Sequence, residues 1–510
     1  MMDKTTERKV TAGLLTGITI FLLLVFIANL FHFNYCMNAD IASDAILGEL
    51  IWNSKEIIPD AWYVANELRL ICTPNVAALF YGLTGNMTLS AGLACCMMTV
   101  LILLAALYFA RETGVKKTSG LMMGFLCLII PSGFIMLELL YLFAAYYAIH
   151  AVIFFITLGM YASFIRNCKI TYKLAWGILF SFLLGLQGVR GILVIYGPLL
   201  GMEMIRNIYF IYKKHKRSIS DIYISLWTLL LFAVSYLGTL FPFSVGQGFS
   251  RNIRKGFPKL LTVVIPDMVR AIGFENANFL GEICLGVLLL LTVYMLVHVL
   301  RLLWKREMEP VHWVWLAMCI SPVLTGVIVA FTTVESTERY YFAFLFLLPF
   351  SAVLVWEESR SVIKCMIGVS GILLAVSNFV QVYLPVIGAQ EPPLTEEYQV
   401  TAFLEENNLP IAYATFENAN TMTVLSNGAI RVYPVASVEK MDICKWMTST
   451  DWYCPNMPYE QKTAYVITDA EKDRFAAFLN EKGSNVAEAE KIGKYTVFVS
   501  DYNYSNLGAD

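Results

Sequence analysis

Four groups of residues have the types and spacing for acid–base chemistry beside a bound anion. Asp40 and Asp44 lie four apart in Asn38-Ala39-Asp40-Ile41-Ala42-Ser43-Asp44. On a helix that spacing puts both carboxylates on one face. Each raises the other's pKa, as does partial burial, so one of them suits a general base. The plainer readings are an N-cap for Asp40 and a solvated helix acid for Asp44. Glu138 follows Pro131-Ser132-Gly133 at the end of an apolar run. An acid at that depth is costly and therefore a functional candidate, with a simple interfacial residue as the alternative. Arg190 stands between glycines in Gly188-Val189-Arg190-Gly191 and suits bidentate phosphate binding, or else snorkelling. In Glu338-Arg339-Tyr340-Tyr341, Arg339 either binds a phosphate or pairs with Glu335 or Glu338.

The elements that position these groups are membrane spans. Hydrophobic residues make up 58% of the 510 and charged residues 15%, and mean hydropathy is +0.62, too apolar for a soluble chain. The length needed to cross a bilayer gives about 11 helices, at 11–33, 87–110, 120–137, 141–165, 174–188, 191–211, 222–241, 281–303, 312–331, 340–357 and 362–385. Lys4, Arg8 and Lys9 precede the first run, which is too long for a signal-peptide core and reads as an uncleaved span. Basic clusters at 111–117, 166–173, 213–217, 301–306 and 360–364 all fall inside when the N-terminus is cytoplasmic, which places the C-terminus outside.

Two outer loops are long. Residues 34–86 carry six acids and two bases, with Asp40 and Asp44 among the acids. Residues 242–280 carry Arg251, Arg254, Lys255, Lys259 and Arg270 against Asp267 and Glu275. That excess opposes the positive-inside trend and suits an anion, although lipid headgroups would also attract it. Gly246-Gln247-Gly248 adds flexibility there. Beyond Gln390-Glu391-Pro392-Pro393 the composition changes. Helix is expected at 395–407, 416–426 and 470–482, and strand at 411–415, 463–468 and 495–500, which is a small α/β domain. The expected organisation is a polytopic α-helical membrane domain, 1–389, and an extracytoplasmic α/β domain, 390–510.

Composition excludes several functions. A formal net charge of −2 gives no nucleic-acid footprint, and no Walker-type loop is present. Of 11 cysteines, Cys95, Cys96, Cys127, Cys284, Cys319 and Cys365 fall in or beside apolar runs as small core residues. Cys36 with Cys72, and Cys444 with Cys454, share outer segments and are candidate disulfides. Cysteine and histidine spacings match no zinc motif. Packing is the expected role of His32 and His150, and a helix-packing stripe that of Tyr146, Tyr147 and His150.

An acid after the first span, a long outer loop, a later basic loop, Glu338-Arg339-Tyr340 and an outer C-terminal domain together resemble the GT-C membrane glycosyltransferases. Among these the pattern looks most like bacterial relatives of protein mannosyltransferases and aminoarabinose transferases. The stretch from Tyr413-Ala414-Thr415-Phe416 to Ser426-Asn427-Gly428 is similar to the tails of bacterial members. The resemblance implies a polyprenyl-phosphate-linked hexosyl or pentosyl donor, a glycan, lipid or protein acceptor, and inverting transfer on the outer face of the cell membrane. Asp40 then corresponds to the family's first-loop acid, although many members have Asp-Glu where this chain has Asp40-Ile41. That leaves Asp40 and Asp44 as competing bases. Arg190, Arg251, Arg254, Lys255, Arg339 and Tyr340 would hold the donor phosphate. No cofactor is required, and a divalent ion at Asp40 and Glu138 is the alternative. Rival functions are a flippase for a lipid-linked glycan, a polysaccharide polymerase or ligase, and a membrane scaffold.

Overall fold

The computed structural model describes residues 4–65, 67–167, 171–212, 218–241, 250–389, 394–453, 461–483 and 486–504. Among them, eight helices are long and apolar enough to cross a membrane: Thr5–Phe31, Met87–Thr113, Ala148–Asn167, Ile219–Gly238, Phe279–Lys305, Pro310–Ala330, Glu338–Glu358 and Ser361–Gly388. The protein is a multi-pass membrane protein. The count differs from eleven because not every apolar run is one continuous helix. The run expected at 120–137 breaks into Lys117–Ile129 and Phe134–Leu140, bent by 118°. Pro131 has no N–H to continue the ladder, and Gly133 takes a φ of +81° that only glycine adopts easily. Helix Lys173–Gln187 has 15 residues, short for a span. The run at 191–211 opens with a π turn, Ile192–Tyr196, before helix Gly197–Tyr212.

The chain forms two compact units. One comprises Met1–Val25 and Met97–Ile387, and the other Phe26–Cys96 and Gly388–Asp510. The first is built around an aromatic seam in which the ring centroids of Phe109 and Phe350, and of Phe155 and Phe346, lie 4.8 Å apart. Its π turn leaves carbonyls off the regular ladder. Ser321 Oγ donates to Val194 O at 2.7 Å, satisfying one of them from a neighbouring helix. A buried charge cluster ties three helices together. Arg206 donates to both carboxylate oxygens of Glu203 at 2.9 and 2.8 Å and to Asp221 at 3.0 Å, and Tyr161 Oη donates to Glu203 at 3.0 Å.

The second unit holds a five-stranded sheet in the order Arg431–Val435, Ile411–Thr415, Thr463–Thr468, Tyr495–Ser500, Ala487–Ile492. The first three strands run parallel and the last two join antiparallel. One face is covered by Val400, Leu404, Ala419 and Met422, the other by Val438, Met441, Phe475 and Phe478. The edge strand Ala487–Ile492 is exposed and charged (Glu488, Glu490, Lys491), which discourages pairing with another chain. A short pairing of Trp62–Tyr63 with Thr448–Ser449 adds the long loop after the first span to this unit.

Candidate active site

The second unit supplies the candidate base. Helix Ala39–Ser54 starts at Asn38, whose Oδ1 accepts from the Ile41 N–H at 2.9 Å. Asn38 is therefore the N-cap, and the Asp40 carboxylate, in the first turn, is exposed. Asp44 has the opposite environment. It is buried, and its Oδ1 accepts from Arg69 Nε at 3.3 Å. Burial pushes the Asp44 carboxyl above its ordinary value; Arg69 works against the rise and Asp40 adds to it. The two acids expected to compete thus differ in access: Asp40 faces solvent and Asp44 is engaged by a loop arginine.

The helix carrying both acids is held firmly. Gly48 passes so close to helix Thr73–Thr84 that a Cβ there would sit 3.2 Å from Ala77 Cβ. Buried Asn420 donates through Nδ2 to Ser43 Oγ at 2.6 Å. Arg431 makes a two-pronged contact with buried Glu49, at 2.9 and 2.6 Å. Tyr81 Oη also donates to Glu49, at 3.3 Å. These partners come from the α/β fold and the loop helix, and they were not singled out from sequence.

The first unit supplies the candidate phosphate-binding groups. Gly188, at φ +135°, ends helix Lys173–Gln187 and turns the chain into Arg190. The Arg190 guanidinium lies 3.7 Å from the ring centre of Tyr147 and 5.8 Å from that of Tyr340. The stacking holds the planar fork while leaving its N–H edge directional. Tyr147 reaches this place because Phe143 and Ala145 both adopt positive φ, +53° and +48°. Such values are costly for residues with side chains. The turn is closed by Ala145 N–H to Glu138 O at 3.0 Å and Tyr147 N–H to Leu139 O at 2.9 Å. Glu138, half-buried on Phe134–Leu140, thus sits at the start of the turn that presents Tyr147.

Glu338–Tyr341 forms a 3₁₀ turn leading into helix Phe342–Glu358. Glu338 accepts from Asn276 Nδ2 at 3.2 Å, and exposed Arg339 donates to Thr337 Oγ1 at 3.3 Å. Lys259 fixes the loop just before this turn. Its ammonium donates to Val329 O at 2.7 Å, Thr332 O at 3.0 Å and Val334 O. Burial lowers its pKa. Arg270 is occupied by Asp267 at 3.0 Å and Glu275 at 3.2 Å. Arg251, Arg254 and Lys255 are exposed. Gly246-Gln247-Gly248 lies outside the described residues.

Cys36 and Cys72, the first candidate disulfide, are unbridged in the structure. Cys72 is buried at the start of helix Thr73–Thr84, where its N–H donates to Asn75 Oδ1, and burial pushes its thiol up to about 12. Cys454, and with it the second candidate disulfide, lies outside the described residues. Asp40 and Glu138, the expected ligands of a divalent ion, belong to different units.

No family model matches the chain, and no curated protein matches it in sequence. Solved structures do match. ArnT from Cupriavidus metallidurans bound to undecaprenyl phosphate superposes with a TM-score of 0.58 at 9% identity, covering 98% of this chain and 99% of its own. The apo form of ArnT gives the same TM-score at 11% identity. The mycobacterial arabinofuranosyltransferase AftD gives 0.39 at 9% identity, with 40% of its own length covered. The chain has the ArnT fold, the GT-C fold that its sequence pattern resembles.

Proposed function

We propose that this protein moves a sugar, with inversion, from a polyprenyl-phosphate-linked donor to an acceptor hydroxyl on the extracytoplasmic face of the cell membrane. One observation carries the reading: in a chain with the fold of a protein that binds undecaprenyl phosphate, Asp40 is an exposed carboxylate on a tightly held helix, while its neighbour Asp44 is committed to Arg69. Asp40 takes the hydroxyl proton. The acceptor oxygen forms its bond to the anomeric carbon as the bond to the phosphate oxygen breaks, and polyprenyl phosphate leaves with the electron pair. Arg190 and Arg339 meet the charge that develops on the leaving phosphate. One such donor is worth about 3 kcal/mol of barrier. Arg251, Arg254 and Lys255 attract the anionic headgroup, and Tyr340 helps hold Arg190 in place. Guanidinium groups suffice for the charge, so the scheme needs no cofactor.

The test is transfer from radiolabelled polyprenyl-phosphate hexoses and pentoses to extracted envelope glycans and lipids, using protein purified in detergent. Asp40→Asn is expected to slow transfer by roughly 10²–10⁴-fold, the usual share of a general base, with polyprenyl-phosphate binding retained. Wild-type rates in that variant would remove Asp40 as base. Movement of lipid-linked sugar across vesicles without any transfer would replace the reading with a flippase.

A further inference from the structure

We propose that His298, His312 and Glu358 form a binding site for one divalent cation of the zinc class. The three come from different helices of the first unit: Phe279–Lys305, Pro310–Ala330 and Phe342–Glu358. One ligand atom from each lies within 4.8 Å of the other two. His298 Nε2 is 3.7 Å from Glu358 Oε2. Tetrahedral zinc with bonds of ~2.0–2.2 Å holds its ligand atoms about 3.3 Å apart, so side-chain rotations alone bring this set into range. The His298 ring stacks on Tyr294 (centroids 6.3 Å apart, planes 12° apart) and meets His312 edge-on at 6.0 Å. His312 is buried, whereas His298 and Glu358 are open enough for an ion to enter.

Two imidazoles and one carboxylate select the cation. Magnesium and calcium prefer oxygen-only shells, whereas nitrogen donors favour zinc, cobalt and nickel. Three protein ligands leave a fourth position for water. Binding also has a structural consequence. His312 Nδ1 accepts from the Glu309 N–H at 3.1 Å, capping helix Pro310–Ala330. An ion at Nδ1 displaces that amide directly. An ion at Nε2 requires the proton on Nδ1, and the amide again loses its acceptor. Loading the site therefore exchanges a helix cap for a metal brace across three helices.

Full-length protein with a histidine-free affinity tag is stripped with chelator and titrated with ZnCl₂ against a fluorescent zinc indicator. Bound zinc is counted by mass spectrometry, and CoCl₂ gives an absorption spectrum of the ligand set. The expected result is one zinc per chain, unaffected by millimolar MgCl₂, and faster hydrogen exchange at the Glu309 amide on loading. His298→Ala and Glu358→Gln each weaken binding by more than the roughly 10–100-fold that losing an outer-shell partner costs. Both side chains are partly exposed, so these variants keep the fold. His32→Ala binds like wild type. No zinc on the wild type, zinc held equally by the His298 and Glu358 variants, or Glu309 exchange unchanged on loading would overturn the proposal.

Discussion

Replacing Arg69 by methionine tests the environment that separates Asp44 from Asp40. The pair is mostly buried, with side-chain exposures of 17% for Arg69 and 8% for Asp44. Asp44 Oδ2 is buried and accepts no hydrogen bond among the described residues. Removing the arginine leaves a buried carboxylate with no counter-charge, and breaking a buried pair costs ~3–5 kcal/mol. Arg69 contributes a single 3.3 Å contact and keeps some solvent, so about 3 kcal/mol, the lower end of that range, is expected. The pH dependence follows from the direction of the shift. The folded Asp44 carboxyl lies above the unfolded value of 3.8. The folded state thus holds the proton more tightly, and stability from this group is full below 3.8 and falls as pH rises through the folded value. Arg69 limits that fall, and Arg69→Met deepens it. The deficit is therefore small near pH 4 and largest at neutral pH. Thermal unfolding followed by tryptophan fluorescence should show a neutral-pH midpoint roughly 6–10 °C lower. Arg69→Met combined with Asp44→Asn should recover the charge part of the deficit and flatten its pH dependence, because no buried charge is then left without its counter-charge. An unchanged midpoint in the single variant, or a full deficit in the double variant, would refute the reasoning.

Two further variants address the first unit. Arg190→Lys keeps the charge but loses the planar fork that stacks on Tyr147. Turnover of a polyprenyl-phosphate sugar should fall about 10–100-fold, the equivalent of ~1.4–3 kcal/mol of barrier, with unfolding unchanged; a wild-type turnover number would remove Arg190 from the phosphate site. Lys259→Met strips a donor from Val329 O, at the end of helix Pro310–Ala330, and from Thr332 O and Val334 O in the loop before Arg339. At ~1 kcal/mol for each lost hydrogen bond, hydrogen exchange at 331–337 should quicken and turnover should fall, and a variant with normal exchange there would show that the loop is held by other contacts.

Much of this architecture was legible from periodicity. Strands Ile411–Thr415, Thr463–Thr468 and Tyr495–Ser500 carry buried apolar residues in short runs, and they lie where the pattern puts them. Arg431–Val435 was missed because Pro434 argues against a strand, and the edge position of this strand is what allows it. Ala487–Ile492 was missed because its charged, alanine-containing sequence has low strand propensity, so only pairing with Tyr495–Ser500 defines it. Pro131 signalled the break in the third run, yet apolar length outweighed it. At the candidate site, the paired acids Asp40 and Asp44, Glu138 at depth and the glycine-flanked Arg190 could be read directly. Their partners could not. Arg69 is 25 residues from Asp44, Asn420 is 377 from Ser43, and Arg190 finds Tyr147 through two positive φ angles at non-glycine residues. The His298, His312 and Glu358 cluster likewise forms only when three helices pack.

The surroundings of helix Ala39–Ser54 give the α/β fold a physical role. A helix on a soluble surface would bury one stripe, but this one buries Ala39, residues 41–49 and Ile51, nearly its whole circumference. A buried helix must satisfy the polar groups it carries. Here Ser43 is met by Asn420, Asp44 by Arg69 and Glu49 by Arg431 and Tyr81. Two of these four partners come from the C-terminal fold. Asp40 is the acid in the first turn whose carboxylate remains exposed. A base works best when its backbone cannot drift, because a displacement of about 1 Å can cost 10²-fold in rate. Under the proposed role of Asp40, pinning the helix at Ser43, Asp44 and Glu49 while its carboxylate stays open serves that need. The C-terminal fold thus clamps the acid helix at two points, Asn420 on Ser43 and Arg431 on Glu49.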